Sequence, residues 1–443
     1  MRGIGPIYLD GEVFLNAQIP AELAQTIIDP AAYQDGARVD AAFDTLRRDH
    51  GFAKAELAGY PPIWVASRHA DILAIEMRAK EFQNGPRSST LMPDETQNIV
   101  RFLTDGDSNF MRTLVGVDGA EHKALRSIVF PAMTPQAVRA MEGKVRATAA
   151  QYAQMLFDQA PSCDFAADVA FYYPLRVIMG VLGVPQEDEL YLLELTQQLF
   201  GSTDPEMNRS KTEVTPKEAL DQVIEINAAM EAYFGKVTDM FRAAPDDAKV
   251  NSLIANATID GEYLNRRQLM GYYIIAATAG HDTTSNATAA AMWELAERPD
   301  LLTQLQADPS LIGAFVEESI RWSTPVKHFM RTAAADSEYA GHQIAAGDYI
   351  FLSYHSANRD DAVFEHPYAF DIHRKPNKQL AFGYGPHVCI GQHLARMEMR
   401  LLWEAIIPRL ASVELDGTPE RTKSAFVCGP KHVPIKFTLK QDA

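Results

Sequence analysis

Reactive side chains concentrate in one stretch, Phe382-Gly383-Tyr384-Gly385-Pro386-His387-Val388-Cys389-Ile390-Gly391-Gln392-His393. An amphipathic run over 394–410 follows, which places Cys389 on a turn just ahead of a helix N-terminus. Unpaired backbone N–H groups there favour a thiolate over a thiol. Gly383, Gly385 and Gly391 have no side chain, so a flat ligand can come close to the backbone. A lone thiolate in a glycine cradle suits an axial haem ligand, which pushes electron density onto iron and favours O–O cleavage. Three other readings stand beside it. Gly383 and Gly385 could open a dinucleotide loop, although Val388 takes the third glycine position. His387, Cys389 and His393 could bind zinc, although no second cluster offers the remaining ligand. Cys389 could also be a small buried hydrophobe.

Three more constellations carry polar chemistry. His122 and Arg126 lie four apart on one face of a helix and could clamp a carboxylate, or could be a solvated face. Ala276-Ala-Thr-Ala279-Gly280-His281-Asp282-Thr283-Thr284 puts an acid and hydroxyls where a buried helix needs core side chains. Gly280 costs about 1 kcal/mol against alanine, and the Thr283 hydroxyl can bond the Ala279 carbonyl and bend the helix. Buried polar groups at a distorted helix suggest a site for water or a small ligand; the plainer reading is a kink facing solvent. Glu318 and Arg321, three apart beside Ile320 and Trp322, can form a buried structural pair or a surface one of little energetic weight.

Positioning these groups requires a large core. The 443 residues are 47% hydrophobic and 22% charged, the profile of a globular chain. A net charge of −17 argues against a nucleic-acid partner. Three cysteines (Cys163, Cys389 and Cys428) are too few for an iron–sulfur cluster and form no disulfide framework, which fits a reducing cytoplasm. The stretch 1–18 lacks the pattern of a signal peptide, and no run of about 18 apolar residues spans a membrane. Residues 1–20 read as an irregular arm, 37–50 as a helix, 62–67 as a strand and 71–82 as a helix. Residues 84–118 read as a ligand-covering loop. From 135 to 242 the pattern is helical, with breaks near Pro161, Pro185 and 201–205. One long helix is expected over 265–298, capped by Asn265 with Gln268 at the capping-box position and running roughly 50 Å. Short strands are expected over 338–353 and 413–440, with a tip at 426–429.

The four constellations stand in an order that resembles the cytochrome P-450 haem-thiolate monooxygenases of the soluble bacterial class. Stretches outside those signatures are similar to the family's α-terpineol-hydroxylating branch: 163–165, 171–175, 325–332, 356–360 and 429–431. The loops 84–117 and 201–218 depart from it. The resemblance implies a mainly α fold with small β-sheets, one domain over 1–443, with haem b between the long central helix and the cysteine helix. By that likeness Cys389 is the proximal thiolate, with Phe382, Gly383 and Gly391 around it and Ala279 and Gly280 forming the groove opposite. His122, Arg126, Arg331 and His387 match positions that bind the haem propionates. Glu318, Arg321 and Arg374 match a structural cluster. Asp282 and Thr283 match the acid–alcohol pair that relays protons to bound dioxygen, and His281 falls at a variable position with no catalytic role assigned.

The resemblance further implies O2 as co-substrate and electrons from NAD(P)H through a reductase and an iron–sulfur ferredoxin. That ferredoxin would dock near Lys123, Arg126, Arg396 and Arg400. Candidate substrate contacts are Phe110, Met111, Leu114, Ile275, Ala276, Ala279, Val326, Phe329 and Val427; most are apolar, which favours a compact hydrocarbon. A monoterpene or monoterpene alcohol is the leading substrate class, with aromatic or polycyclic hydrocarbons as the alternative. A peroxygenase or a non-catalytic haem protein fits less well, since neither needs the acid–alcohol pair.

Overall fold

A computed structural model describes residues 7–9, 12–14, 18–109, 112–202 and 204–441. Helices dominate, and the largest core lies among them. At its centre the cysteine helix, Gln392–Ile406, lies against the long helix Pro135–Asp158. Trp403 is fully buried there between Phe165 and Phe315, with ring centroids 5.9 and 5.4 Å away.

The largest sheet runs in the order Ala53–Ala55, Ile63–Ala66, Tyr349–Ser353, His328–Ala333, Phe82–Gln83. Only the Tyr349–Ser353 pairing with Ile63–Ala66 is parallel. Successive side chains of a strand face opposite ways. Met330 accordingly joins a second core built with the N-terminal helices, while its neighbours Phe329 and Arg331 face the cavity described below.

Four expectations need correction. The helix expected over 265–298 is two helices, Arg266–Ala279 and Asp282–Glu297, interrupted at Gly280–His281. Asn265 and Gln268 do form the capping box. The break arises because His281 N–H bonds the Thr278 carbonyl three back, while the Thr283 hydroxyl bonds the Ala279 carbonyl at 3.0 Å. The helix expected over 71–82 is His69–Met77, and Phe82 instead pairs with Ala333 as a fully buried strand residue. Tertiary pairing overrides the helical pattern there. Within 84–118, Asp94–Leu103 is a helix, with Asp94 and Glu95 in its first turn and Arg101 in its last, the polarity a helix dipole favours. Inside the arm expected to be irregular, Ile7–Leu9 pairs with Glu12–Phe14.

Candidate active site

The two halves of the central helix and the cysteine turn form opposite walls of one cavity. Ile275, Ala276, Ala279, Gly280, Thr283 and Thr284 recur at helical spacing along the first wall. Gly280 is required by packing: a Cβ there would lie 2.6 Å from Ile178 Cγ1. The second wall carries Phe382, Gly383, His387, Val388, Cys389 and Gly391. Its turn depends on Gly385, whose φ of +66° is left-handed and where a Cβ would sit 2.7 Å from the Glu76 carbonyl oxygen. Cys389 N–H donates to the Phe382 carbonyl at 2.8 Å, which fixes the loop closed.

The surface that Cys389 exposes is the inner wall of this cavity, so its sulfur is accessible yet shielded from bulk water. Burial is the dominant influence and pushes the thiol up. The Gly391 and Gln392 backbone N–H groups and the Arg126 and Arg396 guanidiniums oppose it. A metal that deprotonates a coordinating thiol outright would find these groups already placed for the negative sulfur. Arg396 also lies over the Phe382 ring, 4.4 Å from its centroid.

At one end of the cavity His122, Arg126, Arg331 and His387 converge. The His122 and His387 rings are 4.0 Å apart. Burial, with His387 and Arg126 beside it, pulls the His122 pKa down to about 4, so the ring is neutral. His387 is likewise held down by burial, against the pull of Asp118. His122 Nε2 is buried without a partner. Arg126 donates to the Val388 carbonyl at 2.9 Å, and Arg331 Nη2 donates to Glu76 at 2.7 Å. An unpartnered ring nitrogen and two guanidiniums at one end, with a lone sulfur facing the cavity, fit a flat metal-centred ring bearing carboxylates.

Asp282 begins the second half of the central helix and is buried, with Oδ2 unpartnered. His281, given no role from sequence, is fully buried; its Nε2 donates to the Phe171 carbonyl at 2.7 Å and its Nδ1 lies 3.3 Å from Asp282 Oδ1. Glu318 and Arg321 sit apart from the cavity. They form a bidentate pair at 2.8 and 2.7 Å, both fully buried. Arg374 adds a bond to Glu318 at 3.3 Å, and Arg321 also reaches the carbonyls of Asn358, Pro367 and Ala369.

Among the substrate candidates, Leu114, Ile275, Ala276, Ala279, Val326 and Phe329 line the cavity. Val427 is buried and bridged to Val326, and does not itself line the cavity. Phe110 and Met111 lie outside the described residues. The four cations expected near a ferredoxin differ in their surroundings. Arg396 pairs with Glu317, and Arg400 with Glu404 and Glu142, whereas Lys123 and Arg126 have no ion pair among the described residues. Sequence reasoning missed two buried acids in the cavity wall, Glu76 and Glu398. Burial drives the Glu398 carboxyl far up, against a Thr284 hydrogen bond. Neither acid belongs to a recognisable spacing, and nothing in the local sequence sets either apart from a solvated acid.

The cytochrome P450 family model matches residues 96–437. The chain is 41% identical over 426 residues to cytochrome P450-terp of a Pseudomonas species, covering 95% of this chain and 99% of that one. It is 33% identical over 376 residues to a steroid C26-monooxygenase of Mycolicibacterium smegmatis, covering 85% and 83%. The crystal structure of CYP108D1 from Novosphingobium aromaticivorans superposes with a TM-score of 0.87 at 37% identity, over 96% of this chain and 100% of that one. Members of this family bind haem through a cysteine thiolate. With that thiol on the cavity wall and the match running through nearly the whole chain, this protein belongs to the cytochrome P450 family of monooxygenases.

Proposed function

We propose that this enzyme hydroxylates a compact hydrocarbon, a monoterpene or monoterpene alcohol, with electrons passed from NAD(P)H through a reductase and an iron–sulfur ferredoxin in the cytoplasm. Cys389 is the haem ligand. Neutral His122 and His387 donate to the propionates, and Arg126 and Arg331 supply the opposing charge. Phe382 packs by the sulfur, and Gly383 and Gly391 leave room on that side; Ala279 and Gly280 do so on the other. Bound there, the haem supplies the activation of dioxygen and the insertion of one oxygen atom into a C–H bond, with release of water.

Protons are this chain's contribution. Thr283 Oγ1 rests on the Ala279 carbonyl, and rotation about χ1 frees it to hold and pass a proton within the cavity. Asp282 Oδ2, buried and unpartnered, is the group that brings that proton from the solvent side. Leu114, Ile275, Val326 and Phe329 exclude water and present an apolar surface to the substrate. The observation that carries the reading is Thr283 on the wall of an apolar cavity that also presents Cys389, with the buried Asp282 next to it at a helix break.

The test is an optical titration of the ferric holoenzyme with α-terpineol, p-cymene and phenanthrene. A substrate that dries the haem pocket shifts the Soret band to shorter wavelength. A full shift with the monoterpenes supports the assignment. A shift with phenanthrene alone moves the substrate class to aromatic hydrocarbons and overturns it. Oxidation of NADH coupled to product only when ferredoxin and reductase are added separates this route from one driven by hydrogen peroxide.

A further inference from the structure

Glu76 lies outside every motif, near the end of the helix His69–Met77, yet its carboxyl is part of the cavity wall. Its side chain is 1% exposed. Oε1 accepts hydrogen bonds from Arg331 Nη2 and from the Tyr354 hydroxyl, each at 2.7 Å, and the Tyr384 backbone N–H reaches the carboxyl as well. Oε2 has no partner. The group stands directly beside the cysteine loop, for a Cβ on Gly383 would lie 3.5 Å from Oε1 and 3.9 Å from Oε2.

A buried carboxyl oxygen without a partner is costly, and each such oxygen needs an explanation. The charged and titratable groups that meet it are Arg331 from the sheet and Tyr354 from the short helix Tyr354–Ala357, with His387 of the cysteine loop also on the cavity wall. His122 and Arg126 line the same cavity. Arg331 is therefore the only cation in hydrogen-bond contact with Glu76 among the described residues, and it is also the cation proposed above for a propionate. Two carboxylates sharing one guanidinium in a site shielded from water cannot both ionise freely; they share a proton.

We propose that Glu76 is a haem-binding residue whose Oε2 carries a proton and donates it in a hydrogen bond to the propionate held by Arg331. The proposal rests on the propionate assignment made above for Arg331 and His387. It agrees with the direction of the Glu76 carboxyl, which burial pushes up against Arg331, Tyr354 and the Tyr384 N–H. Loss of the shared proton as pH rises leaves two carboxylates facing each other across Arg331. That loosens the haem and lowers its reduction potential.

The experiment follows haem transfer from holoenzyme to excess apomyoglobin, and the haem reduction potential, from pH 6 to pH 9. The proteins compared are the wild type, Glu76→Gln and His387→Ala. In the wild type haem loss should be about tenfold faster at pH 9 than at pH 6, the factor for one pKa unit of coupling, with the potential falling in parallel. Glu76→Gln keeps an N–H donor of the same length that does not titrate, so its haem loss and potential should stay flat across the range. His387→Ala should lose haem faster at every pH. If Glu76→Gln follows the wild-type profile while His387→Ala loses haem, the Glu76 proposal is overturned and the propionate site stands. If neither variant changes haem loss, both fall.

Discussion

Replacing Glu294 by glutamine should leave the protein unchanged below about pH 4.5, stabilise it increasingly as pH rises to about 7, and keep the full gain above that. Glu294 lies in the second half of the central helix, and only 6% of the residue is exposed. Burial raises its pKa from 4.5 to about 7, in spite of Arg298, whose guanidinium is 3.0 Å from Oε2. The unfolded chain releases this proton near 4.5 and the folded protein only near 7, so the fold holds the extra proton between those values. Its contribution is complete below 4.5 and lost as pH rises through 7. A gap of roughly 2.5 units at about 1.4 kcal/mol each gives about 3–4 kcal/mol. Glutamine fills the same space and does not titrate, so the variant is spared that loss. For 443 residues at roughly 2.1 cal/mol/K per residue, the gain is a melting temperature about 3–4 °C higher at pH 8. Thermal or urea unfolding of the holoenzyme at pH 5, 6, 7 and 8 reads both the size and the slope. A variant less stable than the wild type at pH 8, or a difference independent of pH, would show that the Arg298 pairing outweighs desolvation and would refute the reasoning.

Thr283→Ala should retain haem and substrate binding while diverting reducing equivalents to hydrogen peroxide; product formed per NADH equal to that of the wild type removes Thr283 from proton delivery. Asp204 is fully buried in the connection between two helices, where it bonds the Lys431 ammonium at 3.1 Å and the Lys423 backbone N–H at 2.8 Å. Lys431 keeps Glu206 at 2.8 Å when Asp204 is lost, so Asp204→Ala should cost about 1–3 kcal/mol. Hydrogen exchange of the amides over 204–215 should then accelerate roughly tenfold or more, and unchanged exchange would mean the contact does not hold that segment down. With Arg396 and Arg400 paired to acids, Lys123→Glu should slow electron transfer from ferredoxin at low salt and Arg400→Ala should change it little. The opposite order would return the docking charge to the cysteine helix.

The parts of this site that were legible in the sequence are those whose chemistry is local. Cys389 is held by its own turn: Gly383 and Gly385 supply left-handed backbone, and the next helix starts at Gln392. The Asn265–Gln268 capping box is equally local, as is the Thr283 bond to Ala279, since donor and acceptor lie within one helical turn. The break at Gly280–His281 was less so. A helical pattern continues through it, and the space that keeps residue 280 a glycine is taken by Ile178 of another helix. His281 shows the same limit, because its ring is fixed by the Phe171 carbonyl, 110 residues away in sequence.

Glu76 marks the far end of that scale. Its partners, Arg331 and Tyr354, are 255 and 278 residues away, and its neighbours in sequence are ordinary helix residues with nothing to distinguish an acid there from a solvated one. What separates the two cases is the free-energy cost of burying a carboxyl, and burial is a property of the whole fold. The same argument covers Arg396 and Arg400. Read along the chain they are positive charge for a partner; folded, Glu317, Glu142 and Glu404 cancel them. Motifs therefore specify which side chains the cysteine turn and the central helix present to the cavity, because the turn and the helix face are fixed by near neighbours. The proton and charge state of each group depends on residues the sequence places far away, so the pH profiles of Glu76→Gln and Glu294→Gln, rather than further motif matching, are what discriminate between a neutral and an ionised acid in this fold.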